Sequence, residues 1–219
     1  EQVLDVDEVT VLFSPGDSDI NLPLQDVNDP PINSDGNPIP ACGATPAGQY
    51  CGGGGITFAE NFLWNASPVT DDIIKIDPVD GDNLESENAL KSLAFPAPTD
   101  MTFDGTHFWI VDWPTNTINK VLPETGAIIS SISGPSSSVN AKPFGITWDG
   151  QALWVSERSD DTIYRIDPTD GAILNSFPAP GASPKGLAWD GEFLWHVDQG
   201  TQTIYKLESG VIPFGIMGC

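Results

Sequence analysis

Positive charge is scarce in this chain. Eight Lys and Arg face 31 Asp and Glu across 219 residues, a formal net charge of −23 at pH 7. Such a surface repels phosphate and anionic lipid, which excludes nucleic acid and acidic membrane surfaces as partners. No apolar stretch approaches the roughly 18 residues of a membrane-spanning helix, so no membrane span is expected. Histidine is reduced to His107 and His196. There is no His-x-His, HExxH, Gly-x-Ser-x-Gly or P-loop pattern, and no nucleophile with a base and an orienting group, so no catalytic residues are assigned. Helical periodicity is also missing, and a nearly all-β protein is expected.

Cysteine numbers three. Cys42 and Cys51 lie close enough to close a small disulfide loop, which leaves Cys219 odd and open to an intermolecular bond. Pairing of Cys219 with Cys42 or Cys51 stays open as well. This usage, with a first residue Glu1 rather than Met, fits a secreted (or periplasmic) protein whose signal peptide has been removed. A trimmed chain would start the same way.

What the sequence does have is a repeat. Trp64, Trp109, Trp154 and Trp195 recur at intervals of 45, 45 and 41 residues. Six residues before them stand Phe58, Phe103, Trp148 and Trp189; nine after, Ile73, Ile118, Ile163 and Ile204; eleven after, Lys75, Lys120, Arg165 and Lys206. A period in the forties built from short strands is the mark of a β-propeller blade. The third repeat reads as four strands: Gly145 to Trp148, Ala152 to Ser156, Thr162 to Ile166 and Ala172 to Phe177. Asp149-Gly150 supplies a tight hairpin turn and Asp167-Pro-Thr-Asp-Gly171 a second turn. We therefore expect a β-propeller of four four-stranded blades, at 55–99, 100–144, 145–185 and 186–219, preceded by an acidic, Pro- and Gly-rich extension over 1–54.

The fourth repeat stops short. Its last strand must come from elsewhere, because an open sheet edge invites association. Val9, Val11 and Phe13 alternate with Thr10 and Leu12 and form the expected donor strand. Pairing within the chain closes the ring; pairing with a neighbour makes a homo-oligomer or polymer.

The segments Gly-Ile-Thr-Trp-Asp-Gly, Leu-Trp-Val-Ser-Glu and Thr-Ile-Tyr-Arg-Ile-Asp resemble repeats of the NHL, YVTN and streptogramin-lyase-like class of secreted propellers. The resemblance covers about three quarters of the chain. It implies blade architecture, and it spans enzymes, binding proteins and scaffolds. The His, acid and metal constellation of the streptogramin-lyase-like enzymes is not reproduced residue by residue.

Several residues stand out as site candidates. Trp113 is the one Trp off the repeat frame and sits on a loop, where it suits a partner or sugar contact. Asp112, Glu157 and Asp198, with Ser67, close the second strand of each repeat and would form a partial acidic circle for a cation or cationic ligand. The alternative is that each acid caps its own turn. Asp17, Asp19, Asp26, Asp29 and Asp35 form an acidic run in which Asp26-Val-Asn-Asp-Pro-Pro31 is similar to the calcium-binding linker of cadherin-like modules. Calcium is the one cofactor considered, and an acidic Pro-stiffened loop is the other reading. The functional expectation is an exported non-catalytic scaffold that partners with itself by exchange of terminal strands. The alternatives are a metal-dependent lyase or hydrolase and a monomeric glycan- or peptide-binding propeller.

Overall fold

The computed structural model describes residues 3–5, 54–68, 71–78, 90–91, 97–138 and 140–207. The cysteines, the acidic run from Asp17 to Asp35, and Val9, Val11 and Phe13 lie outside the described residues.

Among the described residues, four antiparallel four-stranded sheets follow one another along the chain. The first is β2 (Ile56–Ala59), β3 (Phe62–Ser67), β4 (Asp72–Ile76) and β5 (Leu90–Lys91). The second is β6 (Pro98–Phe103), β7 (Phe108–Asp112), β8 (Thr117–Val121) and β9 (Ile128–Ser133). The third is β10 (Pro143–Trp148), β11 (Leu153–Glu157), β12 (Thr162–Ile166) and β13 (Ile173–Pro178). The fourth holds β14 (Pro184–Trp189), β15 (Leu194–Asp198) and β16 (Thr203–Leu207), and its last place is taken by β1 (Val3–Asp5). A terminal strand therefore completes the last sheet, with Val3 opposite Tyr205 and Asp5 opposite Thr203. The observed donor lies upstream of the expected one. The loop 134–142 is longer than its counterpart 179–183, which accounts for the drop in interval from 45 to 41.

Local chemistry explains each turn. Gly105, Gly150 and Gly191 sit at φ of 95°, 95° and 101° in the Asp-Gly hairpins, a region that L side chains avoid. The first repeat has no glycine there and spends Glu60 and Asn61 on positive φ instead, at 54° and 67°. A second left-handed position recurs between strands two and three of every sheet: Asp71, Asn116, Asp161 and Gln202, at φ of 51–59°. Asp and Asn tolerate this conformation; Gln202 is the exception.

The hairpin Asp does more than turn the chain. Oδ2 of Asp104, Asp149 and Asp190 accepts the indole N–H of Trp109, Trp154 and Trp195 at 2.8, 2.9 and 2.7 Å. Their Oδ1 atoms accept two backbone N–H groups of the turn. The recurring base lies over the same indole: Lys75, Lys120, Arg165 and Lys206 stand 5.2–5.9 Å from the ring centres. In the third repeat Arg165 Nε also donates to Asp149 at 2.7 Å. Burial pushes the Asp149 carboxyl up, but the Arg165 bond and the N–H groups of Ala152 and Gln151 outweigh it, so the group stays below the usual carboxylate range. In the first repeat, Trp64 donates to the Ala59 carbonyl.

Packing is face to face. One face of sheet one, with Trp64, Ala66 and Ile73, meets Met101, Phe108 and Ile110 of sheet two. Trp109, Val111 and Ile118 meet Ile146, Leu153 and Val155 of sheet three. Trp154 and Ile163 meet Leu187 and Leu194 of sheet four. The same columns thus build three successive interfaces. Each fully buried large side chain contributes about 1.5–3 kcal/mol.

Asp149→Ala strands a largely buried Arg165, frees two turn N–H groups and releases the Trp154 indole. Unfolding in urea should show a loss of about 2–4 kcal/mol. Asp190→Ala, whose carboxylate is exposed, should lose clearly less; equal losses would contradict this account of the clasp.

Candidate functional site

The acids that end the second strands are clasps. Asp112 accepts the Ala97 N–H at 3.3 Å and the Thr115 hydroxyl at 2.8 Å. Glu157 accepts the Lys142 N–H and the Ser159 N–H and hydroxyl on Oε1. Asp198 accepts the Ser183 N–H and the Thr201 N–H, each at 2.8 Å, with the Thr201 hydroxyl. Each carboxylate ties the loop entering its own sheet to the loop between strands two and three. Gly181 packs so closely on Asp198 that an added Cβ would lie 2.3 Å from Cγ. Asp112 is raised by burial against the Thr115 and Ala97 bonds. In Asp198 burial acts upward too, but the Thr201 and Ser183 bonds prevail and hold the group low.

All four sheets converge on a cavity of about 570 Å³. It is lined by Gly54 and Gly55, just before β2, and by the starts of the other first strands: Thr99 and Asp100, Phe144, and Lys185 and Gly186. Sheet four adds Val197 to Gln199 and Gln202 to Ile204. Of the predicted site residues, Asp198 lines the cavity; Asp112, Glu157 and Trp113 do not. Trp113 is 40% exposed on its loop, with the Lys142 ammonium 5.7 Å from its ring centre.

The most unusual wall residue is Asp100, which sequence reading passed over. The frame places Gly55, Gly145 and Gly186 at the equivalent position, so one carboxylate stands in a column of glycines. Its Oδ1 accepts the Met101 N–H and its Oδ2 accepts the Ile146 N–H, both at 2.8 Å, joining sheet two to sheet three. Gly55 makes room for it: a Cβ there would fall 1.3 Å from Oδ1. Burial raises the Asp100 carboxyl from 3.8 to about 7, against the Ile146 and Met101 bonds. Beside it Thr99 donates to the Phe144 carbonyl at 3.0 Å. The Lys185 ammonium sits 3.5 Å from the Phe144 ring centre, and burial, then Arg158, lower its pKa. The cavity therefore combines a titrating carboxyl, a cation on an aromatic face, and the amides of Gln199 and Gln202.

His196 does not reach it. It lies in the column of Ile110 and Val155, which faces the preceding sheet, fully buried and stacked on Tyr205 at 6.1 Å. Among the described residues neither ring nitrogen has a well-formed hydrogen bond. Burial holds its imidazole below the usual range, with Asp198 and the Gly186 backbone acting the other way.

No protein-family model matches the chain, and no curated protein matches it either. Solved structures do. A catalytically inactive virginiamycin B lyase from Staphylococcus aureus, with quinupristin, is similar at 26% identity and TM-score 0.53 over 73% of this chain. The chain resembles the streptogramin-lyase-like β-propellers. Myxococcus xanthus glutaminyl cyclase shares the fold at TM-score 0.60 and 9% identity, over 71% of this chain. The computationally designed Ika4 protein matches at TM-score 0.51 and 13% identity, over 75% of this chain and 95% of its own. The chain spans 53% of the lyase and 65% of the cyclase. The sheets are thus propeller blades. Among the described residues no group of three or more His, Cys, Asp or Glu is placed to hold a metal ion.

The Asp100 carboxyl titrates higher in the fold than in the unfolded chain. Its neutral form favours the fold fully below about pH 4, and that advantage is lost as pH rises through about 7. Asp100→Asn cannot ionise. Relative to the native protein it should gain up to about 4 kcal/mol in urea unfolding between pH 4 and pH 8. A difference that stays constant with pH would refute the assignment.

Proposed function

We propose that this chain is an exported, non-catalytic propeller that acts as an extracellular scaffold and assembles with copies of itself through its terminal strand. The observation that supports this is the fourth blade. Its own repeat provides β14 to β16, and its last strand comes from the other end of the chain as the three-residue β1. Three register pairs hold it. Main-chain pairing of this kind is equally available to a neighbour's β1, and a head-to-tail joint that does not close grows into filaments. In this reading calcium acts at Asp17, Asp19, Asp26, Asp29 and Asp35. There it would offset part of the −23 charge that keeps chains apart. Cys219 is then the residue suited to a covalent link between subunits.

Leu4 is the register partner of Ile204 in the β1–β16 pair. With Cys219→Ser as background, Leu4→Cys combined with Ile204→Cys should give a ladder of linked chains on a non-reducing gel, growing with protein concentration. An intrachain product alone at every concentration would rule out exchange.

A further inference from the structure

Packing accounts for every glycine of one first-strand column except the last. The column runs Gly55, Asp100, Gly145 and Gly186. An added Cβ at Gly55 would fall 1.3 Å from Asp100 Oδ1, and one at Gly145 would fall 2.1 Å from the Lys185 carbonyl oxygen. At Gly186 an added Cβ would meet no atom within 4 Å, and its φ is not in the left-handed region. The irregular pairing of β14 before Leu187 does not call for glycine either, because Asp100 holds the same place in β6. Gly186 instead lines the cavity of about 570 Å³. A strand glycine with open space beside it leaves the backbone bare for a ligand to approach.

Charge marks the same place. Four of the eight bases, Lys75, Lys120, Arg165 and Lys206, lie over the repeat indoles, and Lys91 ends β5. The other three gather where the third and fourth blades begin. The Lys142 carbonyl accepts the Arg158 N–H at 3.1 Å, Arg158 acts electrostatically on Lys185, and the Lys185 ammonium rests 3.5 Å from the Phe144 ring centre. Among the described residues Lys185 makes no ion pair. The carboxylates of Glu157 and Asp198 accept loop N–H groups instead. A chain of net charge −23 thus keeps an uncompensated cation in the wall of a cavity. We infer that this cavity binds a small organic carboxylate, its acid group paired with the Lys185 ammonium and its apolar body against Gly186, Phe144, Val197 and Ile204. The volume falls within the roughly 300–1,000 Å³ typical of small-ligand sites. One chain holds the whole site, so binding does not depend on self-assembly.

Titration calorimetry of the full chain tests this, with naphthylacetate as the probe, at about pH 6, where Asp100 is mostly neutral. Naphthylacetate should bind, naphthylacetamide about tenfold more weakly, and naphthylethylamine not at all. Lys185→Gln, at a half-buried side chain, should lower the affinity for naphthylacetate about tenfold and leave that for naphthylacetamide unchanged. Gly186→Leu fills open space, so its circular dichroism should match that of the native chain while binding of both probes is lost. Lys120→Gln removes the same charge beside Asp104 and should keep naphthylacetate binding within about twofold of native. No binding of naphthylacetate at millimolar concentration overturns the proposal. So does equal affinity for the acid and the amide, a folded Gly186→Leu that binds normally, or a loss in Lys120→Gln as large as in Lys185→Gln. Should Gly186→Leu fail to fold, the acid–amide comparison in the native chain and the Lys185→Gln result decide between support and refutation.

Discussion

A four-stranded sheet with apolar residues on both faces cannot bury itself, and everything else in this molecule answers to that constraint. Strand alternation sends the Trp and Ile columns to one face and the Leu, Phe and Val columns to the other. Only another sheet of the same design covers either. Repetition is therefore the condition under which any single blade is stable, and the terminal blades are chemically unlike the internal ones even where their sequences agree.

Around this packing the polar residues divide by role. The hairpin Asp, the repeat Trp and the recurring base form one unit that fixes the indole at the blade edge. The acids at the end of strand two form another, tying each incoming loop to the next turn. The two units consume most of the recurrent charge within the blade that carries it. What remains for recognition lies where the frame is broken: Asp100 in a glycine column, Gln202 in an Asp and Asn column, and Trp113 off the pattern.

The repeat, the strands and the turns were legible because each depends on residues close in sequence, such as Asp149-Gly150 or Thr162 to Ile166. The identity of the completing strand was less so. The alternation at Val9 to Phe13 read as strand, whereas the three residues of β1 leave almost no sequence signature. The acidic column was visible, but its hydrogen bonds run to backbone N–H groups fifteen residues upstream, which residue types do not reveal. Asp100 was visible only by difference. The aligned glycines give the signal, and a search for histidine, metal or nucleophile patterns passes over it.

Asp100 has one more consequence, which belongs to calorimetry. A carboxyl that titrates at about 7 in the folded chain and near 3.8 when exposed makes folding a proton-uptake reaction near neutrality. The buffer then donates the proton, and its ionisation heat enters the measured enthalpy. The unfolding enthalpy of this chain is therefore a property of protein and buffer together, and it differs between phosphate and Tris even where the two are matched in pH and ionic strength.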